Sequence, residues 1–178
     1  MSGMPSVKAI TDFADIHTHN RCGEDCIVSL PFGAEVPEGG YYSVGIHPWD
    51  SAVCTQADLE RIARQALLPN VIAIGECGLD ALRGGSVDVQ ERIFRAQVDI
   101  SESAGKPLII HAVRTLNRII ELRRELRPAQ RWIVHGFRGK PQLAASLLHA
   151  GIDLSFGERY NIESYNITPP ERRFHETD

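Results

Sequence analysis

The stretch VIAIGECGLDALRGGSVDVQERIFRAQVDISESAGKPLIIH, Val71–His111, decides the fold. Val71–Ile74 is apolar and β-branched and reads as a strand. From Val89 to Ser103 the residues Val89, Ile93, Phe94, Ala96 and Ile100 recur at helical spacing and share one face. Gly105 ends that helix ahead of Pro107, and Leu108–Ile110 forms the next strand. Strand, helix and strand in this order make a βαβ unit, whose two strands run parallel.

The same rhythm continues toward the C-terminus. Asn117–Leu126 is a helix bounded by Pro128, Trp132–Val134 a strand, Gln142–Ala150 a helix stopped by Gly151, and Ile152–Phe156 a strand, with a last strand near Arg172–Glu176. The first third differs. Phe13–Ile16, Cys26–Leu30 and Tyr41–Ile46 read as strands, but their links are short and rich in Gly and Pro, and no helix fits between Leu30 and Tyr41. A parallel crossover usually takes a dozen or more residues, so this part is either a reduced repeat or an irregular pairing. Eight strands in all point to an α/β fold, a reduced TIM-type (β/α) barrel lacking its early helices, built as a single domain over residues 1–178.

Composition sets the frame. The 178 residues are 43% hydrophobic and 24% charged, values of an ordinary globular protein long enough to bury a core. No signal peptide and no apolar run of membrane-spanning length is present, so no membrane association and a cytoplasmic location are expected. The net charge of −4 counts against a passive DNA-binding module, though not against an enzyme whose bound cations supply the positive charge. Cys22, Cys26, Cys54 and Cys77 read as reduced thiols. A zinc site from Cys22, Cys26, His17 and His19 lacks the second half of a knuckle.

The chemistry begins at Asp15-Ile16-His17-Thr18-His19. On a strand, residues two apart share a face, so His17 and His19 point the same way and can clasp a divalent ion. A lone His-x-His pair is a weak signal. Repetition strengthens it: Glu76 follows Val71–Gly75, His111 follows Leu108–Ile110, His135 follows Ile133–Val134, and Asp178 closes Arg173–Thr177. The carboxyl ends of barrel strands converge on one face, where active sites lie. Ligand types at five strand ends make coincidence the poorer explanation.

In order along the chain, Asp15–His19, Ser43-Val44-Gly45-Ile46-His47-Pro48-Trp49, Ile74-Gly75-Glu76-Cys77-Gly78-Leu79-Asp80, Ile109-Ile110-His111, Val134-His135-Gly136-Phe137 and Glu176-Thr177-Asp178 resemble the TatD-related DNase family of metal-dependent hydrolases. The resemblance covers nearly the whole chain. It implies a TIM-like barrel, two divalent metal ions and hydrolysis of phosphodiester bonds in DNA. Carried over residue by residue, His17, His19 and Asp178 hold the first ion, His111 and His135 the second, and Glu76 bridges them. Two metals sharing a carboxylate activate a common water, whose proton Asp178 is placed to accept as general base. The His and carboxylate set suits Mg²⁺, Mn²⁺ or Zn²⁺ alike.

His47 sits at a strand end, where it either contacts substrate phosphate or is a turn histidine before a rigid proline. Arg21, Arg83, Arg114, Arg138 and Lys140 follow the ligand-bearing strands and are candidate phosphate contacts. Arg118, Arg123, Arg124 and Arg127 read as a solvated helix face, His149 and His175 as structural. Trp49 and Trp132 read as core residues first and base-stacking platforms second.

Two departures from the family stand out. The segment between His19 and Tyr41 is shorter than the family's, and the chain stops at Asp178 where the family continues through a loop and a closing helix. Either the sequence is truncated there or a homo-oligomer covers the incomplete barrel. Rival readings are a hydrolase of another small phosphoester or of an amide, and a catalytically weak metal-binding barrel. A carboxylated lysine, the usual bridge in amide-cleaving relatives, has no counterpart: Lys8, Lys106 and Lys140 are the only lysines and none takes Glu76's place. A histidinol-phosphatase-like site would want further ligands after His19, where Asn20-Arg21-Cys22-Gly23 follows instead.

Overall fold

The computed structural model describes residues 7–20 and 23–178. Arg21 and Cys22 lie outside the described residues. Eight strands form one sheet in chain order, each parallel to the next: β1 (Asp15–Thr18), β2 (Cys26–Ser29), β3 (Tyr42–Val44), β4 (Val71–Asp80), β5 (Leu108–Val113), β6 (Trp132–Val134), β7 (Ile152–Phe156) and β8 (Arg173–His175). Just past β8 the chain reaches back to β1. The Thr177 amide donates to the His17 carbonyl at 3.3 Å, and the Thr177 hydroxyl donates to the Asp15 carboxylate. The sheet is therefore a nearly closed barrel, and its seam lies between β1, which carries His17, and β8, which is followed by Asp178.

Helices follow the later strands: α1 (Gln56–Gln65), α2 (Val87–Ala104), α3 (Leu116–Leu126), α4 (Pro141–His149) and α5 (Ile162–Ile167). Their ends are written locally. Thr55 and Asp58 form a reciprocal capping box on α1, the Ser86 hydroxyl caps α2, and Gly105 ends α2 at φ 67°. The first third is a reduced repeat whose strands pair in parallel. Both early crossovers connect parallel strands, and among the described residues neither contains a helix. Leu30, Phe32 and Val36 of the second link pack on the core in place of a helix. No helix among the described residues is long and apolar enough to cross a membrane.

Alternation along the strands builds two cores. Ile16, Ile27, Ile109, Ile133 and Phe174 fill the inside, while Leu108, Ile110, Trp132, Val134 and Leu154 face the helices. Phe94 of α2 packs edge-on against Trp132 of β6, ring centroids 5.3 Å apart, and both are fully buried. Truncating either ring to alanine would cost about 3–5 kcal/mol.

Three expectations need correction. β4 runs on to Asp80 and β5 to Val113, so Glu76 and His111 lie within strands rather than after them. Glycine permits this extension: a Cβ on Gly78 would stand 1.9 Å from the His111 carbonyl, so β4 and β5 approach closely beside the site only because residue 78 has none. Cys54 and Cys77 are free, but Cys26 is disulfide-bonded, not a reduced thiol. A sulfur so committed offers no thiolate to zinc. α5 was not foreseen, being a short helix started by the Asn161 side chain accepting from the Ser164 amide at 3.0 Å.

Candidate metal centre

Glu76 is the hub. It projects from the middle of β4 at the barrel mouth, and five imidazoles surround its carboxylate. His135 Nε2 lies 2.8 Å from Oε1, with His47 Nε2 at 3.6 Å and His111 Nδ1 at 3.7 Å. His17 Nε2 and His19 Nε2 are each 3.6 Å from Oε2. Asp178 closes the other side, with Oδ1 3.0 Å from His19 Nε2 and 3.3 Å from His17 Nε2. All six residues singled out as metal ligands thus converge, from β1, β4, β5, the end of β6 and the segment after β8.

Which nitrogen of each ring is available follows from what the other one does. His111 Nε2 lies 3.1 Å from the Asp80 carboxylate, leaving Nδ1 toward Glu76. His135 Nδ1 lies 3.4 Å from Glu176, leaving Nε2 toward Glu76. His47 is the opposite case. Its Nδ1 accepts the Trp49 amide at 3.1 Å, so its proton sits on Nε2 and points into the site. His47, Glu76 and His111 are close enough to hold an ion together, but a protonated Nε2 makes His47 a donor rather than a ligand.

The electrostatics follow from this packing. Burial would raise the Glu76 carboxyl, yet the nearby His111 and His135 imidazoles hold it far below the usual range. Burial would lower His135, but Glu176 and Glu76 together push it up to about 10. His17 at 3.3 Å draws Asp178 down to about 2. His47 is lowered by burial to about 4 and is neutral at ordinary pH.

His17 gives the sharpest indication. Its ring is fully buried, and neither Nδ1 nor Nε2 has a hydrogen-bond partner. The Glu76 and Asp178 carboxylates stand within ionic range, 3.6 and 3.3 Å from Nε2. Burying an imidazole this way costs roughly 1–3 kcal/mol per unmet polar group, a cost that a coordinated ion would remove at Nε2. His17, His19 and Glu76 present ligand atoms all within 4.8 Å of one another, as do His17, His135 and Asp178.

Asp80 and Glu176 each orient a candidate ligand, His111 and His135 respectively. Period-two spacing could have found them: Asp80 shares a face of β4 with Glu76, and Glu176 precedes Asp178 by two. Asp80 is held by the Trp49 indole N–H at 2.7 Å and by the amides of Leu82 and Arg83, and Glu176 by the Ser155 hydroxyl at 2.5 Å.

Around the cluster lies a cavity of about 900 Å³, lined by His19, His47, Trp49, Glu76, His111, His135, Arg138 and Asp178, with Leu30, Pro31 and Phe32 as an apolar wall. That is large enough for a drug-sized or nucleotide-sized ligand, for which ~300–1,000 Å³ is usual. Arg138 is in the lining. The Arg83 guanidinium lies 4.5 Å from the centroid of the Trp49 ring at the rim. Arg114 and Lys140 are exposed and outside the lining, and Arg21 falls outside the described residues. Trp132 is core, as expected, but Trp49 is 47% exposed. Its indole N–H reaches Asp80 beside the candidate metal ligands, which turns the ring to the cavity rim instead of the interior. His175 bonds the Tyr165 hydroxyl at 3.0 Å and His149 ends α4, both away from the cluster.

Comparison with known proteins gives the family. Residues 16–178 match the family model described as TatD related DNase. The chain is 36% identical over 116 residues to the 3'-5' ssDNA/RNA exonuclease TatD of Musicola paradisiaca, a match covering 63% of this chain and 43% of that protein. It is 33% identical over 119 residues to the uncharacterized metal-dependent hydrolase YabD of Bacillus subtilis, covering 66% and 47% respectively. The match thus spans about half the length of these relatives. Among solved structures, YJJV, a TatD homolog from Escherichia coli, superposes with a TM-score of 0.75 at 22% identity, covering 86% of this chain and 66% of that one. A TatD family hydrolase from Entamoeba histolytica gives a TM-score of 0.72 at 19% identity, covering 94% and 73%. At such identities the two structures establish the barrel fold, and the family match over residues 16–178 carries the assignment: the chain belongs to the TatD-related DNase family.

Proposed function

We propose that this chain hydrolyses phosphodiester bonds of DNA with the help of two divalent metal ions. The observation that carries the proposal is the ring of five imidazoles and Asp178 about Glu76, with the buried His17 nitrogens lacking hydrogen-bond partners. His17, His19 and Asp178 would hold one ion, His111 and His135 the other, and Glu76, with two oxygens facing different histidines, would serve both. Such ions, when bound, lower the pKa of a water and stabilise charge building on phosphoryl oxygens.

The chain's own residues supply the rest. Asp178 has a side chain 42% exposed and is anionic at neutral pH, so it can accept a proton from the attacking water. His47, neutral and with its proton on Nε2, donates a hydrogen bond to a phosphate oxygen. Arg138 contributes positive charge to the cavity wall, and Arg83 stands behind Trp49 at the rim. Asp80 and Glu176 fix the ring orientations of His111 and His135. The relatives named as ssDNA/RNA exonucleases favour a single-stranded nucleic acid over other phosphoesters.

The test is hydrolysis of a labelled single-stranded oligonucleotide, with purified chain first stripped by chelator and then supplied with Mg²⁺, Mn²⁺ or Zn²⁺. Turnover should vanish on stripping and return with at least one ion. Undiminished turnover in protein verified as metal-free refutes the mechanism. No turnover with any ion, in protein that binds metal, supports the catalytically weak barrel instead.

A further inference from the structure

Trp49 stands out because an exposed indole at a cavity rim is here held still. Its N–H donates to Asp80 Oδ2 at 2.7 Å, Asp80 is only 3% exposed, and the same carboxylate oxygen orients His111. The ring is thus locked at a set position relative to the metal ligands, at little further entropic cost on binding. The neighbouring His47 and His111 rings meet it at 69° and 77°, with centroids 4.8 and 6.0 Å away, so neither lies parallel to it. The partner above the ring is the exposed Arg83 guanidinium, at 4.5 Å from its centroid. No carboxylate pairs with Arg83 among the ion pairs of the described residues.

We infer that Trp49 is the platform on which a nucleobase flanking the scissile phosphodiester stacks, an inference that rests on the proposed nucleic-acid substrate. Every base offers a π-face, so a single indole gives affinity for nucleic acid without sequence choice. The planar, weakly hydrated guanidinium of Arg83 is itself a stacking group, and in moving aside for a base it stays near the phosphates that flank that base. Pro31 and Phe32 of the same cavity supply apolar surface for the rest of the nucleoside. The stack acts on binding and placement of the substrate.

The experiment compares a single-stranded thymidine oligomer with an oligomer of equal length and phosphate count whose residues are abasic. Trp132 is fully buried, so quenching of tryptophan emission on titration reports Trp49. The thymidine oligomer should quench and the abasic one should not. In Trp49→Ala, Kd and KM for the thymidine oligomer should rise about tenfold or more, the scale of one base–aromatic stack, while abasic binding changes little. Trp49→Phe, which keeps an aromatic face but loses the Asp80 bond, should fall between the two. Equal loss for both oligomers, or an unchanged Kd in Trp49→Ala, overturns the inference. Quenching without turnover would leave the platform standing and remove the proposed hydrolysis; normal turnover with unchanged KM in Trp49→Ala would do the reverse.

Discussion

Replacing Glu76 by glutamine is the most searching single change, because it keeps the shape and removes one charge from the centre of the site. In the native protein five imidazole nitrogens stand within 3.7 Å of the two carboxylate oxygens. An ion held among those nitrogens stands no further than ~4 Å from the carboxylate. At that separation, with an effective dielectric of ~20, one unit charge on another is worth about 4 kcal/mol. A dication feels twice that, but the side chain is 10% exposed and water relaxes part of it, so about 4 kcal/mol is a fair lower figure. This corresponds to roughly a thousandfold weaker binding for the ion that depends most on Glu76. Glutamine also presents an amide N–H₂ toward one group of histidines, where only an acceptor is useful. Metal titration by calorimetry, elemental analysis of the dialysed protein and circular dichroism to confirm folding together make the assay. We expect at most one tightly held ion per chain and turnover below a hundredth of native. A folded Glu76→Gln protein retaining two ions and native turnover would refute the bridging role.

Two further outcomes follow from the same geometry. Asp178→Asn should leave the fold intact and cut turnover about a hundredfold or more, the scale of losing a general base, measured as kcat on the oligonucleotide with metal saturating. His135, pushed up to about 10 without metal, carries a proton at pH 7 that a bound ion must displace. Metal binding should therefore release about one proton near neutrality, and apparent affinity should climb with pH, by up to tenfold per unit, until pH passes about 10. Calorimetry in buffers of different ionisation enthalpy counts that proton, and a pH-independent affinity with no release would contradict the ion pair with Glu76 and Glu176.

The βαβα rhythm from Val71 onward was legible because buried parallel strands are continuous apolar runs and amphipathic helices repeat at 3.6. Trp132–Val134 and Ile152–Phe156 coincide with β6 and β7. The length of β4 was not legible, since Gly75 and Gly78 look like breakers until the close approach of β5 explains them. The six candidate ligands were read from strand-end positions, and the fold brings all six together. The groups that orient them were harder to find. Asp80 and Glu176 act through ring nitrogens, and His47 is distinguished from a ligand only by the Trp49 amide bonded to its Nδ1. Such tautomer-setting contacts join residues whose pairing no local pattern encodes. Trp49 misled for a related reason: an indole reads as core by composition, but its N–H is satisfied by a carboxylate at the barrel mouth.

The most direct test of the metal centre is anomalous diffraction at the manganese edge from crystals of the chain grown with Mn²⁺. Two peaks should appear, one among His17, His19 and Asp178 and one between His111 and His135, each in contact with a different oxygen of Glu76. A single peak shared by all the histidines, or ions bound only elsewhere while Glu76 keeps its direct contact with His135, would contradict the two-metal account.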